Sequence, residues 1–269
     1  MPYLDVNDCS VFYEDDDFTD PWSSAEVVWL QHGWGRSSQF FYHWVPDLAR
    51  QYRVIRRDFR GHGKSCDPAA DHSWSIEELL TDMLGFLDAL EIDAIHYVGD
   101  SSGGLFGAAF AARWPDRIRS LTMMSTPIAH RNRNKTALVG RPDLATAILE
   151  IPMEEYARHT IETRGVSVLS PKHEAWVIAE WKKNRPRSLS GFASVFREAD
   201  ISQILENIAV PTLLLSPTKS ATAPLDEQKA MALRIPGAKF VEIDGIGHEI
   251  YVDQAESCLT ALKRFIADL

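Results

Sequence analysis

The stretch "AIHYVGDSSGGLFGAAFAARWPD", residues 94–116, constrains the fold of this chain most strongly. Its first part is an apolar run typical of a buried strand, and its second part is a run of small residues that predicts a helix ending before Pro115. Between them, "GDSSG" matches G-x-S-x-G, centred on Ser101. A hydroxyl held at such a strained strand-to-helix turn projects into a cleft, and only small neighbours fit around it. This context predicts Ser101 as a nucleophile, with a plain Gly/Ser turn as the alternative and Ser102 as the weaker serine.

Strand and helix signals alternate on both sides of this turn. Residues 75–92 place their apolar side chains on one helical stripe, with Ser75 as the N-cap and Glu78 in the capping-box position. This alternation predicts an α/β fold with a mostly parallel sheet and helices on both of its faces. Strands are predicted within residues 26–33, 52–57, 94–100, 118–125 and 211–216, and a last one from residue 238.

Residues 128–200 interrupt the alternation, because they contain helical patterns and no clear strand. An all-helical insertion inside an α/β pattern indicates a cap over the strand ends. The predicted organisation is therefore an α/β core in residues 1–127, a helical cap in residues 128–200, and the second part of the core in residues 201–269.

Composition limits the partners and the location. The 269 residues carry a net charge of -10, and an acidic surface repels phosphate backbones, so nucleic acid is not an expected partner. No apolar run approaches the roughly 20 residues that span a bilayer, and the acidic N-terminus is unlike a signal peptide. We therefore expect a cytoplasmic protein that has no membrane partner and acts on a small molecule, with a homodimer left open as its assembly.

The three cysteines, Cys9, Cys66 and Cys258, are far apart in the sequence. Their spacing is typical neither of a disulfide framework nor of a metal site. We expect free thiols that are buried or partly buried, and we expect neither a metal nor a cofactor.

Two further stretches can complete a site around Ser101. "QHGWG", residues 31–35, follows a strong strand, so that the backbone N–H groups of Trp34 and Ser102 could form an oxyanion hole. The alternative for this stretch is a plain strand-to-helix loop. His248 lies in the glycine-flanked loop "GIGHEIY" after the last strand, and a base is needed within hydrogen-bond reach of the serine. His248 is the predicted base, against a surface or capping histidine.

As a set, "HGWG", "DFRGHGKS", "GDSSGG", "PDRIRSLTMMSTP", "VPTLLL" and "IPGAKFVEIDGIGH" resemble the α/β-hydrolase superfamily. The resemblance runs from about residue 26 to residue 269 and breaks down in the cap. It implies the α/β-hydrolase fold with a serine at the elbow, which argues against the dehalogenase and epoxide-hydrolase branches. The fold also hosts esterases, lactonases, C–C hydrolases and cofactor-free dioxygenases, so it does not specify the reaction.

The carboxylate that the resemblance implies as the partner of the histidine is missing. Its usual position, after the strand "PTLLLS", corresponds to Ser220, and the position used by zearalenone lactonases and quinolone dioxygenases corresponds to Ser125. Another carboxylate could reach His248, a hydroxyl of Ser125 or Ser220 or a water could orient it, or the site could be degenerate. The second explanation is slightly favoured. The candidate carboxylates are Asp226, Asp244 and Glu249, and from the cap Glu150 and Glu154.

The predicted substrate pocket contains His32, Arg36, Trp176 and Trp181. His32 could shape the oxyanion loop, and aromatic walls would suit an apolar or ring-bearing substrate. Arg36 could contact a carboxylate or carbonyl of the substrate, although a solvated surface arginine is the commoner case. Tryptophans at helical spacing mostly belong to the core, which is the alternative for Trp176 and Trp181.

Two hypotheses from different classes of enzyme follow. In the first, the protein is a serine hydrolase that cleaves an ester or lactone of a small, partly apolar or aromatic molecule through Ser101 and His248. In the second, it is a cofactor-free dioxygenase that cleaves a heteroaromatic ring, because "GWGRSSQFF" and "YRVIRRDFRGHGKS" are similar to stretches of the quinolone-cleaving enzymes. A non-catalytic, ligand-binding member of the fold is a third option.

Overall fold

The computed structural model describes residues 3–129, 138–164, 167–245 and 247–269. Its strands form one eight-stranded sheet in the order β1-β2-β4-β3-β5-β6-β7-β8. Strands β1 and β2 pair antiparallel, β2 also pairs antiparallel with β4, and all other neighbours are parallel. The strands are β1 (Tyr3–Val6), β2 (Cys9–Asp16), β3 (Val27–Gln31), β4 (Arg53–Arg57), β5 (Ile95–Asp100), β6 (Ile118–Met124), β7 (Thr212–Pro217) and β8 (Lys239–Ile243).

Helices connect the parallel strands, and the prediction of an α/β fold is confirmed. Ser75 caps α2 as predicted, because its hydroxyl accepts a hydrogen bond from the backbone N–H of Glu78. The helices are α1 (Val45–Leu48), α2 (Ile76–Ala89), α3 (Ser102–Arg113), α4 (Leu144–Glu150), α5 (Met153–Arg164), α6 (Pro171–Trp181), α7 (Pro186–Glu198), α8 (Leu225–Arg234), α9 (Ile250–Asp253) and α10 (Ala255–Ala267). A 3-10 helix at Ser38–Trp44 leads into α1.

The N-terminal hairpin of β1 and β2 was not among the predicted strands. Its residues are rich in acidic side chains, and β1 is mostly exposed at the edge of the sheet. Strand β2 is held by pairing with β4, which is about 40 residues away in the sequence. The local sequence pattern therefore gives little indication that these residues form strands.

The centre of the sheet is covered on both faces. Every residue of β3, β5 and β7 is buried, although successive side chains of a strand point to opposite faces. Helix α3 packs against β5 and β6, and α8 and α10 pack against β7 and β8. Ligands of open parallel sheets bind at the carboxyl ends of the strands, which is where β3 and β5 lead into residues 32–37 and Ser101.

Four helices, α4 to α7, lie between β6 and β7 and form the helical cap. Within the described part of this segment the only β pairing is an isolated bridge between Ala129 and Asp200. That bridge joins the two ends of the segment, whose predicted boundaries are residues 128 and 200. Residues 130–137 and 165–166 of the predicted cap lie outside the described residues.

The prediction that all three cysteines are free is wrong for two of them. Cys9 and Cys66 form a disulfide, and Cys258 is buried and free. The loop after β4 returns to β2, where the backbone N–H of Cys66 donates to the carbonyl of Ser10, and this contact brings together two residues 57 positions apart. Disulfides are rare in the cytosol, so this pair weighs against the predicted cytoplasmic location.

No helix among the described residues has the length and apolar character needed to cross a membrane.

Candidate active site

Ser101, the predicted nucleophile, occupies the turn between β5 and α3. Its backbone has φ 52° and ψ -118°, a conformation that non-glycine residues rarely adopt. Only glycine fits beside it: a Cβ added to Gly99 would lie 2.5 Å from the Gly103 carbonyl carbon, and one added to Gly103 would lie 2.6 Å from the Gln31 carbonyl oxygen. The strained turn with small neighbours that the motif predicts is therefore present.

The loop after β3 lies directly against this turn. A Cβ added to Gly33 would be 3.1 Å from the Ser101 Cβ, so the backbone of Gly33 lies against the serine. His32 holds the loop from behind, because its Nδ1 is 2.8 Å from the Gly33 carbonyl oxygen and its Nε2 accepts from the Phe59 N–H at 3.0 Å. Burial lowers the pKa of His32 well below its ordinary value, and the neutral ring can both donate and accept.

His248, the predicted base, is supported by hydroxyl groups. Its Nδ1 lies 2.9 Å from the Ser220 Oγ and 3.1 Å from the Thr222 Oγ1. The backbone N–H of Ala223 donates to the Ser220 Oγ at 3.1 Å and fixes that hydroxyl in place. Ser220 therefore stands where the sequence comparison expected an acid. Thr222 was missed, although the loop "PTKSATAP" that contains it is rich in hydroxyl side chains.

The other residues considered as the acid or its substitute are engaged elsewhere. The Ser125 Oγ donates to the backbone carbonyl of His248 at 2.5 Å and so supports the loop, not the ring. Asp244 is exposed and contacts Thr218 and Lys219, and Asp226 is exposed in the first turn of α8. The remaining carboxylates are those of Glu150, paired with Arg141; Glu154, paired with Arg158 and Lys182; and Glu249, paired with Arg36.

One small cavity joins the two ends of the site. It has a volume of about 20 Å³, enough for about one water molecule. Its walls include Ser101 and His248, apolar side chains from the cap, and three charged side chains. The lining residues are Gly33, Trp34, Arg36, Asp100, Ser101, Pro127, Leu144, Phe196, Thr222, His248 and Glu249.

Three residues predicted for the pocket do not line this cavity. Trp181 is fully buried against Gly35, where an added Cβ would be 2.4 Å from its ring, and it packs behind Trp34. Trp176 packs on Phe40 with ring centroids 5.0 Å apart. His32 supports the loop from behind, as described above. The tryptophans therefore follow the alternative of core packing, because the cap closes tightly on residues 34–40.

Arg36 is also placed differently from the commoner expectation of a solvated arginine. Its side chain is 4% exposed, and its Nε lies 2.6 Å from the Glu249 Oε1. The pair links the loop after β3 to the loop that carries His248.

Outside the cavity, Asp8, His72 and Glu78 could hold a cation, because their ligand atoms lie within 4.8 Å of one another. The guanidinium of Arg60 already contacts Asp8 at 2.6 Å and Glu78 at 3.7 Å. This positive charge opposes a bound cation, so we assign no metal to the cluster.

Comparisons with known proteins agree with this architecture. Residues 26–150 match the family described as alpha/beta hydrolase fold, and residues 192–268 match the family described as TAP-like protein. A Caulobacter segnis protein that carries the provisional name carbamate hydrolase RutD is 26% identical over 91% of this chain and 93% of its own length. Rhodomycin D methylesterase DnrP of Streptomyces peucetius is 27% identical over 76% of this chain and 77% of its own length.

Among solved structures, the enol-lactonase from Burkholderia xenovorans LB400 superposes with a TM-score of 0.89. It is 26% identical, and the match covers 99% of this chain and 100% of the enol-lactonase. The strained serine turn, the late histidine and these matches lead to one conclusion. The chain is a hydrolase and belongs to the α/β-hydrolase superfamily.

Proposed function

We propose that this protein is a serine hydrolase that cleaves an ester or lactone of a small, partly apolar or aromatic molecule. One observation carries the proposal: Ser101 and His248, which are 147 positions apart in the sequence, line the same cavity beside the loop at Gly33 and Trp34. A nucleophile, a base and backbone N–H donors around a single space are what acyl transfer requires.

In the proposed reaction, the Ser101 oxygen attacks the carbonyl carbon while His248 removes the hydroxyl proton. Nδ1 of His248 faces Ser220, which leaves Nε2 as the nitrogen for that proton. The N–H groups of Trp34 and Ser102 stabilise the oxyanion, and Ser102 begins α3, whose N-terminus favours negative charge. The protonated ring then protonates the leaving alcohol. Water, deprotonated by His248, releases the acid and restores Ser101.

The acid of the usual triad is replaced, in this proposal, by Ser220 and Thr222. For Nε2 to act as a base, Nδ1 must carry the hydrogen and donate it to a hydroxyl oxygen. The hydroxyls orient the ring but lack the full negative charge that would stabilise an imidazolium ion. A triad without its acid typically loses about 10⁴-fold in rate while the oxyanion hole still works. We therefore expect a slow hydrolase.

The proposed substrate class rests on the cavity walls and on the relatives. Trp34, Leu144 and Phe196 give the cavity an apolar side, and the named activities of the relatives include a methylesterase and an enol-lactonase. A space of about 20 Å³ is too small for an ester. Substrate entry therefore requires side chains of the cavity wall to move, and the wall includes Leu144 on α4 and Phe196 on α7, two cap helices that pack together.

A fluorophosphonate probe tests the proposal directly. The native protein should form an adduct on Ser101, detected by mass spectrometry, and Ser101→Ala should abolish it. Ser102→Ala is the matched control and should still be labelled. An unlabelled protein that consumes oxygen with a hydroxyquinolone would instead be the cofactor-free dioxygenase, and a protein that does neither would be a ligand-binding member of the fold.

Location and assembly are further proposals. If the protein works in the cytoplasm, thiol titration of the denatured protein from that compartment should find three free thiols. A Cys9–Cys66 disulfide predicts one free thiol, that of Cys258. The proposed homodimer has an available edge in β8, the last strand of the sheet, and sedimentation analysis tests it.

A further inference from the structure

One nitrogen of the Arg36 guanidinium is unpaired within the part of the chain that the structure describes. Nε and Nη2 face the Glu249 carboxylate. Nη1 is buried and has no hydrogen-bond partner among the described residues. An unpaired buried N–H group is costly, so a ligand atom that accepts its hydrogen bond gains stability.

The position of this group favours a ligand role. Arg36 lines the same cavity as Ser101 and His248. Its guanidinium is held between two rings, with the carbon atom 5.1 Å from the Phe40 centroid and 4.8 Å from the Trp181 centroid. The salt bridge on one side and the rings on the other leave the guanidinium little freedom, so little order is lost when it binds a substrate.

The surrounding charges limit the chemical class of the ligand. The cavity walls include one guanidinium, that of Arg36, and two carboxyl groups, those of Glu249 and Asp100. Glu249 already balances the arginine, so an anionic substrate would meet an excess of negative charge. A neutral carbonyl or ether oxygen would accept a hydrogen bond without that repulsion.

We infer that Arg36 Nη1 is a binding site for an uncharged oxygen acceptor of the substrate, next to the bond that is cleaved. This inference rests on the proposed function and sharpens it. The preferred substrates are neutral esters or lactones that carry a second carbonyl or ether oxygen, and esters with a carboxylate at that position are disfavoured.

The experiment uses two pairs of esters that differ by one CH₂-to-oxygen exchange. On the acyl side the pair is para-nitrophenyl methoxyacetate and para-nitrophenyl butanoate. On the alcohol side it is methoxyethyl acetate and butyl acetate. Each kcat/KM ratio is compared between the native enzyme and the double variant Arg36→Met/Glu249→Met, so that differences in intrinsic reactivity cancel. The double variant leaves no buried charge unpaired.

In at least one pair, the native enzyme should favour the oxygen-containing ester about tenfold more than the double variant does. Glu249→Gln, which keeps Arg36, should retain that preference and should hydrolyse para-nitrophenyl hydrogen succinate better than the native enzyme. Equal ratios in both pairs would overturn the inference, as would native enzyme that prefers the succinate over the methoxyacetate. If no ester is cleaved and no fluorophosphonate adduct forms, the proposed function itself fails.

Discussion

The two ends of the candidate site are built on different principles. Around Ser101, backbone packs on backbone, and glycines at residues 33, 99 and 103 leave no room for a Cβ. Around His248, side chains from separate loops meet, and Ser220 and Thr222 contact the ring. The first end is held by close contacts of main-chain atoms, whereas the second depends on a few side-chain hydrogen bonds.

This difference indicates where the site can vary. A strained serine turn tolerates almost no change, because any added atom meets main chain. A residue that supports the histidine is replaceable, provided that the replacement reaches Nδ1. In the proposed mechanism, hydroxyl groups therefore replace the acid at the end of the site where a substitution leaves the fold intact.

The first prediction concerns the cooperation of the two ends. Ser101→Ala and His248→Ala should each lower kcat/KM for an ester by about 10²-fold, which is the part of a triad's effect that remains when the acid is absent. The double variant should lose no more than either single one, because residues that act as a unit are not additive. His72→Ala, outside the cavity, is the control and should keep native activity. If the losses of the two single variants multiply in the double variant, Ser101 and His248 act independently and the prediction is wrong.

The second prediction tests the steric end. Gly99→Ala should lower the free energy of unfolding by about 3 kcal/mol, because the new Cβ would lie 2.5 Å from main-chain carbon. Urea denaturation measures the loss. In the control, Gly85→Ala on α2, the added Cβ would lie 2.9 Å from one methyl group of Val6, and its nearest contacts outside the helix are side-chain atoms, so the loss should be smaller. Equal stability of both variants would show that packing does not limit this end.

The third prediction tests the hydrogen-bonded end. Ser220→Asp should raise kcat/KM by about 10- to 100-fold, because a carboxylate on Nδ1 would stabilise the imidazolium ion, and it should move the pH of half-maximal activity upward. The neutral variant Ser220→Asn is the control and should show neither effect. If Ser220→Asp has no higher kcat/KM than Ser220→Asn, the ring is not oriented through this position.

The fourth prediction, with the smallest effect, concerns His62, which packs beside His32. Burial lowers the pKa of His62 to about 3, and its ring lies 5.3 Å from that of His32. The unfolded chain binds this proton near pH 6.5, so stability is complete above that pH and falls as the pH drops toward about 3. Between about pH 7.5 and pH 5.5, His62→Gln should lose about 1 kcal/mol less unfolding free energy than the native protein. Identical losses would contradict the assignment.

The sequence by itself determined the α/β alternation, the cap, the serine turn and the late histidine. Each of these depends on a local requirement, such as glycine beside a strained residue or an apolar stripe of helical period, and local requirements leave a pattern in neighbouring residues. The resemblance to the α/β-hydrolase superfamily also implied Ser220 and Ser125 as the positions that correspond to the acid, and of these two the Ser220 hydroxyl contacts the ring of His248.

Only the tertiary structure decided the contacts between distant segments. The Cys9–Cys66 disulfide, the contact of Thr222 with His248 and the burial of Arg36 on Glu249 join residues separated by 57, 26 and 213 positions. The cap tryptophans likewise pack on the core, Trp181 against Gly35 and the partly buried Trp176 against Phe40. Such pairings depend on which loops come together at the edges of the sheet, and local sequence patterns do not show which distant loops contact each other.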